Sequence, residues 1–191
     1  MINMKIKQKN PKKELRLEVA LPDGVEAKME DCAIIIKGNL GSIKRDFMNK
    51  NISFQCNEKR ITLLAKGYSK DEKKMLGTIE AHLENMISGV QSMHRYVLRI
   101  CSGHFPMQVS FTGGEFTIKN LLGEKTPRKI PINKDAKIKI EGRDIIVESV
   151  DKEIAGQTAS SIEKLGLRGG YDRRIFQDGI FIINKDGKPV K

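Results

Sequence analysis

Tryptophan is absent from this 191-residue chain, and aromatic residues make up only 5% of it. A platform that stacks single-stranded bases one after another needs ring after ring, so this scarcity argues against that mode of binding. Cysteine is scarce too: Cys32, Cys56 and Cys101 form neither an even framework nor a metal-ligand spacing. His82, His94 and His104 are too scattered to build an acid–base site, and no Ser/His/Asp order with an elbow motif is present. Cys101 near His104 is the one thiol–imidazole neighbourhood, and its thiol ends an apolar alternation that reads as core. Gly123-Glu124-Lys125-Thr126 lacks the upstream glycine of a phosphate loop, and Leu167-Arg168-Gly169-Gly170 has no strand-to-helix context. No apolar run approaches the roughly 18–20 residues of a membrane span. The opening MINMKIKQKNPKK lacks the apolar stretch of a secretory signal. These absences lead us to expect a reduced, cytosolic, soluble protein, not an enzyme, with no metal, no cofactor and no membrane partner.

Positive charge is plentiful. Lys and Arg number 35 against 24 Asp and Glu, a net +11. Such a surplus implies a polyanionic partner: nucleic acid, an anionic membrane face or an acidic protein. Its distribution is uneven. Residues 1–16 hold six bases and one acid, 119–139 seven and two, and 165–191 six and three, whereas the 102 residues from 17 to 118 net only +1. Three basic segments separated by neutral chain look like pieces of one binding surface rather than charge spread for solubility.

The chain also repeats itself. Ala20-Leu21-Pro22 is echoed by His104-Phe105-Pro106, AIIIKGNLG (33–41) by EFTIKNLLG (115–123), RITLLAK (60–66) by DIIVES (144–149), and GTIEAHLENM (77–86) by GQTASSIEKL (156–165). The offset stays between 79 and 84. Strand alternations occur at Leu15-Leu17-Val19, Ile52-Phe54-Cys56, Ile61-Leu63-Ala65 and Ile138-Ile140. Ser69 and Glu72 form a capping-box pattern ahead of a helix with apolar positions Met75, Ile79, Leu83, Met86 and Val90. Asp151 suits the N-cap of a second helix, whose expected buried stripe is Ile154, Ala155, Ala159, Ile162 and Leu165, with Gly166 at its end. Gly113-Gly114 predicts a two-residue hairpin turn. The expected fold is α+β: two tandem duplicated domains, each an antiparallel β-sheet with one α-helix packed on it. The expected boundaries are a basic tail (1–13), a first domain (14–91) and a second domain with a basic tail (92–191).

Candidate contacts concentrate in the second repeat. Lys119, Asn120, Lys125, Arg128 and Lys129 fall in a loop-like stretch, where Arg and Lys suit phosphates and Asn120 suits ribose or base edges. Arg168, Arg173 and Arg174 stand among flexible glycines with Tyr171 and Phe176, a mixture suited to irregular RNA. Phe176 and Ile180 are expected in the core. The acids Glu141, Asp144 and Glu148 read as a solvated face.

Five strings taken together, MLGTIEAHLENMISGV (75–90), HFPMQV (104–109), NLLGEKTPRK (120–129), DKEIAGQTASSIE (151–163) and FQDGIFI (176–182), resemble the archaeal and eukaryotic branch of the L-six family of large-subunit ribosomal proteins, called L-nine in eukaryotes. The resemblance runs from about residue 14 to 185. It departs from the family's usual pattern at Gly38-Asn39-Leu40-Gly41, Leu121 and Phe181, and in the doubled Gly169-Gly170. It implies binding to large-subunit rRNA, mainly through the second domain, near the sarcin–ricin loop and stalk base. Neighbouring ribosomal proteins and nearby translational GTPases would be its partners, and no homo-oligomer is expected. The family's RNA-facing loop corresponds to Gly123–Lys129 and its C-terminal signature to Tyr171–Phe181. Gln177, Lys185 and Lys188 complete the candidate RNA-contacting set. The alternatives are an RNA-modifying or RNA-processing enzyme, or a free-standing RNA-binding assembly factor.

Overall fold

The computed structural model describes residues 15–30, 33–47, 51–57, 59–67, 69–103, 105–172 and 174–190. The basic residues of the N-terminal tail, together with Cys32, His104 and Arg173, lie outside that set. The backbone divides into two compact units between Ser92 and Met93. The first contains β1 (Leu15–Ala20), β2 (Glu26–Glu30), β3 (Ala33–Gly38), β4 (Gly41–Asp46), β5 (Ile52–Asn57), β6 (Arg60–Ala65) and α1 (Lys70–Gln91). The second contains β7 (His94–Cys101), β8 (Gln108–Thr112), β9 (Glu115–Lys119), a 3₁₀ turn (Leu121–Gly123), β10 (Arg128–Pro131), β11 (Lys137–Glu141), β12 (Asp144–Ser149), α2 (Lys152–Leu165), β13 (Gly179–Lys185) and β14 (Lys188–Pro189).

Every strand pairing among the described residues is antiparallel, and the duplication is one of topology as well as sequence. In the first unit the sheets run β1-β6-β5 and β2-β3-β4; in the second, β7-β12-β11 and β8-β9-β10 reproduce both. The second unit then adds β13 against the other edge of β7, and β14 beyond it. Each half is thus α+β, its strands shared between two small antiparallel sheets with one helix.

Local chemistry sets the element ends. The backbone N–H of Ser69 donates to Glu72 Oε2 at 2.8 Å, and the Glu72 N–H donates to Ser69 Oγ at 3.3 Å, closing the capping box. The Glu153 N–H donates to Asp151 Oδ1 at 2.8 Å, so Asp151 caps α2. Gly113 and Gly114 have φ of +63° and +80° and join β8 to β9, the left-handed pair that a two-residue hairpin requires. Gly166 ends α2 in a right-handed conformation, so its value there is space: an added Cβ would come within 3.0 Å of the Ile180 backbone nitrogen.

Packing corrects parts of the expected helix faces. On α1 the buried side is Leu76, Ile79, Leu83, Met86, Ile87 and Val90, whereas Met75 is 42% exposed. Leu76, three residues before Ile79, shares the buried stripe that Met75 lies outside. On α2, Ala155, Thr158, Ala159 and Ile162 are buried, while Ile154 and Leu165 are only half-buried. In the second unit Leu98, Phe116, Ile118, Leu121, Ile145, Ile162 and Ile180 form one core, so both sheets and the helix share a single apolar interior. Fully burying each such side chain contributes roughly 1.5–3 kcal/mol. Ile180 is in this core as expected, but Phe176 is 45% exposed because β13 begins only at Gly179.

Candidate nucleic-acid interface

The site begins where β9 ends. Beyond Lys119 the chain enters left-handed backbone at Asn120 (φ +60°), Leu122 (φ +47°) and Gly123 (φ +76°). Two of these three are not glycine, and a side chain in that region costs on the order of 1–2 kcal/mol. The conformation is held from several sides. Leu121 is buried in the core, Asn120 Nδ2 donates to the Pro106 carbonyl at 3.1 Å, and the Glu124 N–H donates to the Leu121 carbonyl at 2.9 Å. Lys125, Thr126 and Pro127 then project as an exposed tip before β10 returns to pair Arg128 with Ile118. Arg128 and Lys129 are therefore strand residues rather than members of the loop itself.

Arg128 turns inward. Its Nε and Nη2 donate to the two carboxylate oxygens of Glu124 at 2.7 and 2.6 Å, and Nη1 donates to the carbonyls of Leu165 and Leu167 at 2.9 and 2.6 Å. The Leu165 carbonyl is the last of α2, where no intrahelical donor remains, and the Leu167 carbonyl lies two residues beyond the helix. Arg168 comes back from the other side. Its Nη1 donates to the Leu122 carbonyl at 3.4 Å, and its Nε lies 3.4 Å from Glu124. The Arg128 hydrogen bond and charge, with Arg168 nearby, hold the Glu124 carboxyl below its ordinary range against the opposing pull of burial. Glu124 is thus the pivot that joins two basic stretches some forty residues apart in sequence. A scan for positive charge passes over it.

From Arg168 the surface extends along 169–178. The Arg168 guanidinium lies 4.6 Å from the centroid of Tyr171, and Tyr171 meets Phe176 edge to face at 5.0 Å and 84°. Asp172 organises the turn: it accepts from the Arg174 N–H at 2.9 Å and from Arg174 Nη2 at 2.8 Å, while its carbonyl accepts from Phe176. Those hydrogen bonds hold the Asp172 carboxyl below its ordinary range. Tyr171, Ile175 and Phe176 are left exposed, Ile175 most of all at 73%. Gln177 is exposed beside them, and the Asp178 carboxylate accepts from the Gly103 N–H.

Asn120, Lys125, Arg128, Arg168, Tyr171 and Arg174 accordingly belong to one connected region, with Lys119 at its entrance. Lys129 sits on the outer face of β10 in an ion pair with Glu115 at 2.9 Å. Lys185 and Lys188 stand at the far end of β13, in the hairpin to β14. At about 3.3 Å per residue they are roughly 20 Å along the strand from Gly179, so the structure does not gather them with the rest.

The remaining candidates resolve into structure. His94 starts β7, is 2% exposed, and lies with Nδ1 2.9 Å from Asp186. His82 is half-buried, 3.4 Å from Arg45 Nη2. Glu148 and Asp144 take part in cross-strand ion pairs, Asp144 with Arg99 at 2.9 Å. Among the described residues no helix is long and apolar enough to cross a membrane.

Comparison with known proteins finds similarity over most of the chain. The family model for ribosomal protein L6 matches residues 105–179, which span β8 to the start of β13. The chain is 37% identical over 173 residues to large ribosomal subunit protein uL6 of Methanosarcina mazei, covering 91% of this chain and 98% of the relative. It is 39% identical over 170 residues to the uL6 protein of Sulfurisphaera tokodaii, covering 88% and 91%. The uL6 protein of Methanococcus vannielii is 35% identical over 174 residues, covering 91% and 96%. Duplicated topology, ordered motifs and near end-to-end similarity lead to one conclusion: the chain belongs to the ribosomal protein L6 family, whose members are structural, non-enzymatic components of the ribosome.

Proposed function

We propose that this protein is a structural constituent of the large ribosomal subunit, in the cytoplasm, and that its second unit binds large-subunit rRNA near the sarcin–ricin loop and the stalk base. There it helps hold in shape the region where translational GTPases dock, among neighbouring ribosomal proteins. The observation that carries this reading is the convergence of the 120–128 loop and the 165–176 segment around Glu124. Lys125 at the tip and Arg174 on the adjoining turn are the phosphate contacts, and Asn120 and Lys119 border them. Arg128 works from beneath, since most of its donors are engaged internally. Phosphate neutralisation dominates such binding and makes it salt-dependent. Gln177 and Arg173 extend the contact along the same segment, while Lys185, Lys188 and Lys129 add charge at its margins.

The test is sedimentation combined with RNA footprinting. The protein migrates with large subunits at low salt, and its omission exposes rRNA at the sarcin–ricin loop and stalk base to chemical probes. Recovery only in the free soluble pool, or a footprint on another part of the subunit, refutes the assignment.

A further inference from the structure

The two copies differ in one respect that their topology makes visible. In the second unit β7 is flanked on both edges, by β12 and by β13. In the first unit its counterpart β1 pairs with β6, and among the described residues no strand lies on its other edge. Register makes the equivalence specific. Leu63 faces Leu17 as Val147 faces Tyr96, and Ile61 faces Val19 as Ile145 faces Leu98. Continuing the register places Leu15 with His94. Where β13 is present, His94, Tyr96 and Leu98 are buried at 2%, 9% and 0% exposure; at the matching positions Val19 is also buried, at 7%, whereas Leu15 and Leu17 are only half-buried.

The helix above repeats the pattern. In α2, Glu163 Oε1 accepts the backbone N–H of Ile182 from β13 at 3.1 Å. The aligned position in α1 is Glu84, which is exposed. One turn earlier, Glu80 stands where α2 has the fully buried Ala159. Burial and the adjacent Glu84 together push the Glu80 carboxyl above its ordinary range. The charged side chains of β1, Arg16 and Glu18, pair with each other at 3.0 Å and alternate to the face away from Leu15, Leu17 and Val19. Among the described residues no strand covers this edge, and these two side chains do not turn toward the helix-side slot.

We propose that the outer edge of β1, roofed by Glu80 and Glu84 of α1, is a docking slot for an extended basic segment of a neighbouring protein, which adds a strand where β13 lies in the second unit. Main-chain hydrogen bonds to β1 supply the affinity. Alternate apolar side chains of the incoming strand cover Leu15 and Leu17, as Ile180 and Ile182 of β13 pack beneath α2. Glu84 accepts a backbone N–H as Glu163 does, and Glu80, which has no acidic counterpart in the second unit, selects a Lys or Arg.

The test uses the full-length, isotope-labelled protein and a capped seven-residue peptide alternating valine and lysine. Titration shifts the resonances of Leu15, Leu17, Glu80 and Glu84 and slows hydrogen exchange of β1 amides. E80K/E84K, both at positions outside the core, keeps the thermal midpoint but weakens binding by about tenfold or more. A peptide of the same composition with its lysines grouped, and one with a central proline, bind far more weakly. Shifts spread over other surfaces, equal affinity for E80K/E84K, or equal binding of the grouped peptide overturns the proposal. Shifts in β1 that grow with protein concentration alone also overturn it, by assigning the edge to a second copy of this chain.

Discussion

Truncation of Arg128 to alanine removes four hydrogen bonds at once, two to Glu124 and one each to the Leu165 and Leu167 carbonyls. Hydrogen bonds to charged groups contribute about 1.5–3 kcal/mol each when sheltered, but members of one network are not additive. Arg128 and Glu124 side chains are 25% and 22% exposed, so water replaces the lost partners only in part. Discounting for that access and for the shared network leaves about 2–3 kcal/mol. For a unit of about 100 residues, 2 kcal/mol lowers the melting temperature by roughly 10 °C. The assay is thermal and urea unfolding of the RNA-free protein. Arg128→Lys keeps the charge but lacks the planar fork and recovers less than half of the loss. Acid removes the Glu124 part of the effect as well, while the two bonds to backbone carbonyls do not titrate. Glu124 has a folded pKa below its unfolded value, so the pairing stabilises fully above the ordinary carboxylate range and is lost as pH falls through the folded value. The gap between wild type and Arg128→Ala therefore narrows below about pH 4. If Arg128 were only an outward phosphate contact, its removal would change stability by less than about 0.5 kcal/mol. An unchanged midpoint in the RNA-free protein refutes the brace.

Lys125→Ala and Arg174→Ala are expected to leave the midpoint in place, weaken binding to an rRNA fragment and lower the slope of log affinity against log salt by roughly one each; unchanged slopes for both place the contact elsewhere. Asp186→Asn destabilises the second unit near neutral pH. Burial alone would raise the Asp186 carboxyl, but the hydrogen bond and charge of His94, with Lys152, hold it below its ordinary range. The difference from wild type in urea midpoint should accordingly vanish as the solution is acidified through the folded value. Gly77→Ala, inside α1 with open space around the added carbon, stabilises by about 1 kcal/mol, measured by urea midpoint. Gly38→Ala, whose added carbon would stand 2.8 Å from buried Val90, destabilises by about 1–3 kcal/mol in the same assay.

Periodicity and capping chemistry were legible in the sequence because they are local. Ser69 with Glu72 and Asp151 with Glu153 announce both helices within a few residues. Repetition at an offset near 80 carried the tandem α+β architecture, since similar strings fold to similar pieces. What stayed hidden depended on contacts distant along the chain. Arg128 resembles any other basic residue until Leu165 and Leu167 place their carbonyls against it. Phe176 carries the hydrophobicity of a core residue, yet it falls three residues before β13 begins and stays at the surface. Met75 and Leu76 are adjacent and both apolar, so only the phase of the helix against its sheets decides which is buried. The left-handed Leu122 has no sequence signal at all, because leucine is not chosen for that conformation.

The candidate surface lies where the two copies diverge. β3 and β4 are joined by Asn39 and Leu40 alone, a turn that leaves no room for a projecting contact. The matching strands β9 and β10 are separated by residues 120–127, which supply the left-handed turn, the Glu124 pivot and the Lys125 tip. After α2 the second copy continues into 166–190, supplying Arg168, Arg174 and the extra strand β13. On the proposed reading the shared scaffold accounts for stability in both halves and for RNA binding in neither. Charge follows the same division: 17–118 is close to neutral, and the surplus outside the N-terminal tail resides in the two stretches that the second copy lengthened. If the binding surface came from the scaffold itself, shortening 120–127 to a two-residue turn would leave RNA affinity intact in a folded protein. On the present reading that deletion abolishes affinity; because it also removes the core residue Leu121 and the Glu124 brace, it lowers the melting temperature of the second unit while the first unit keeps its structure.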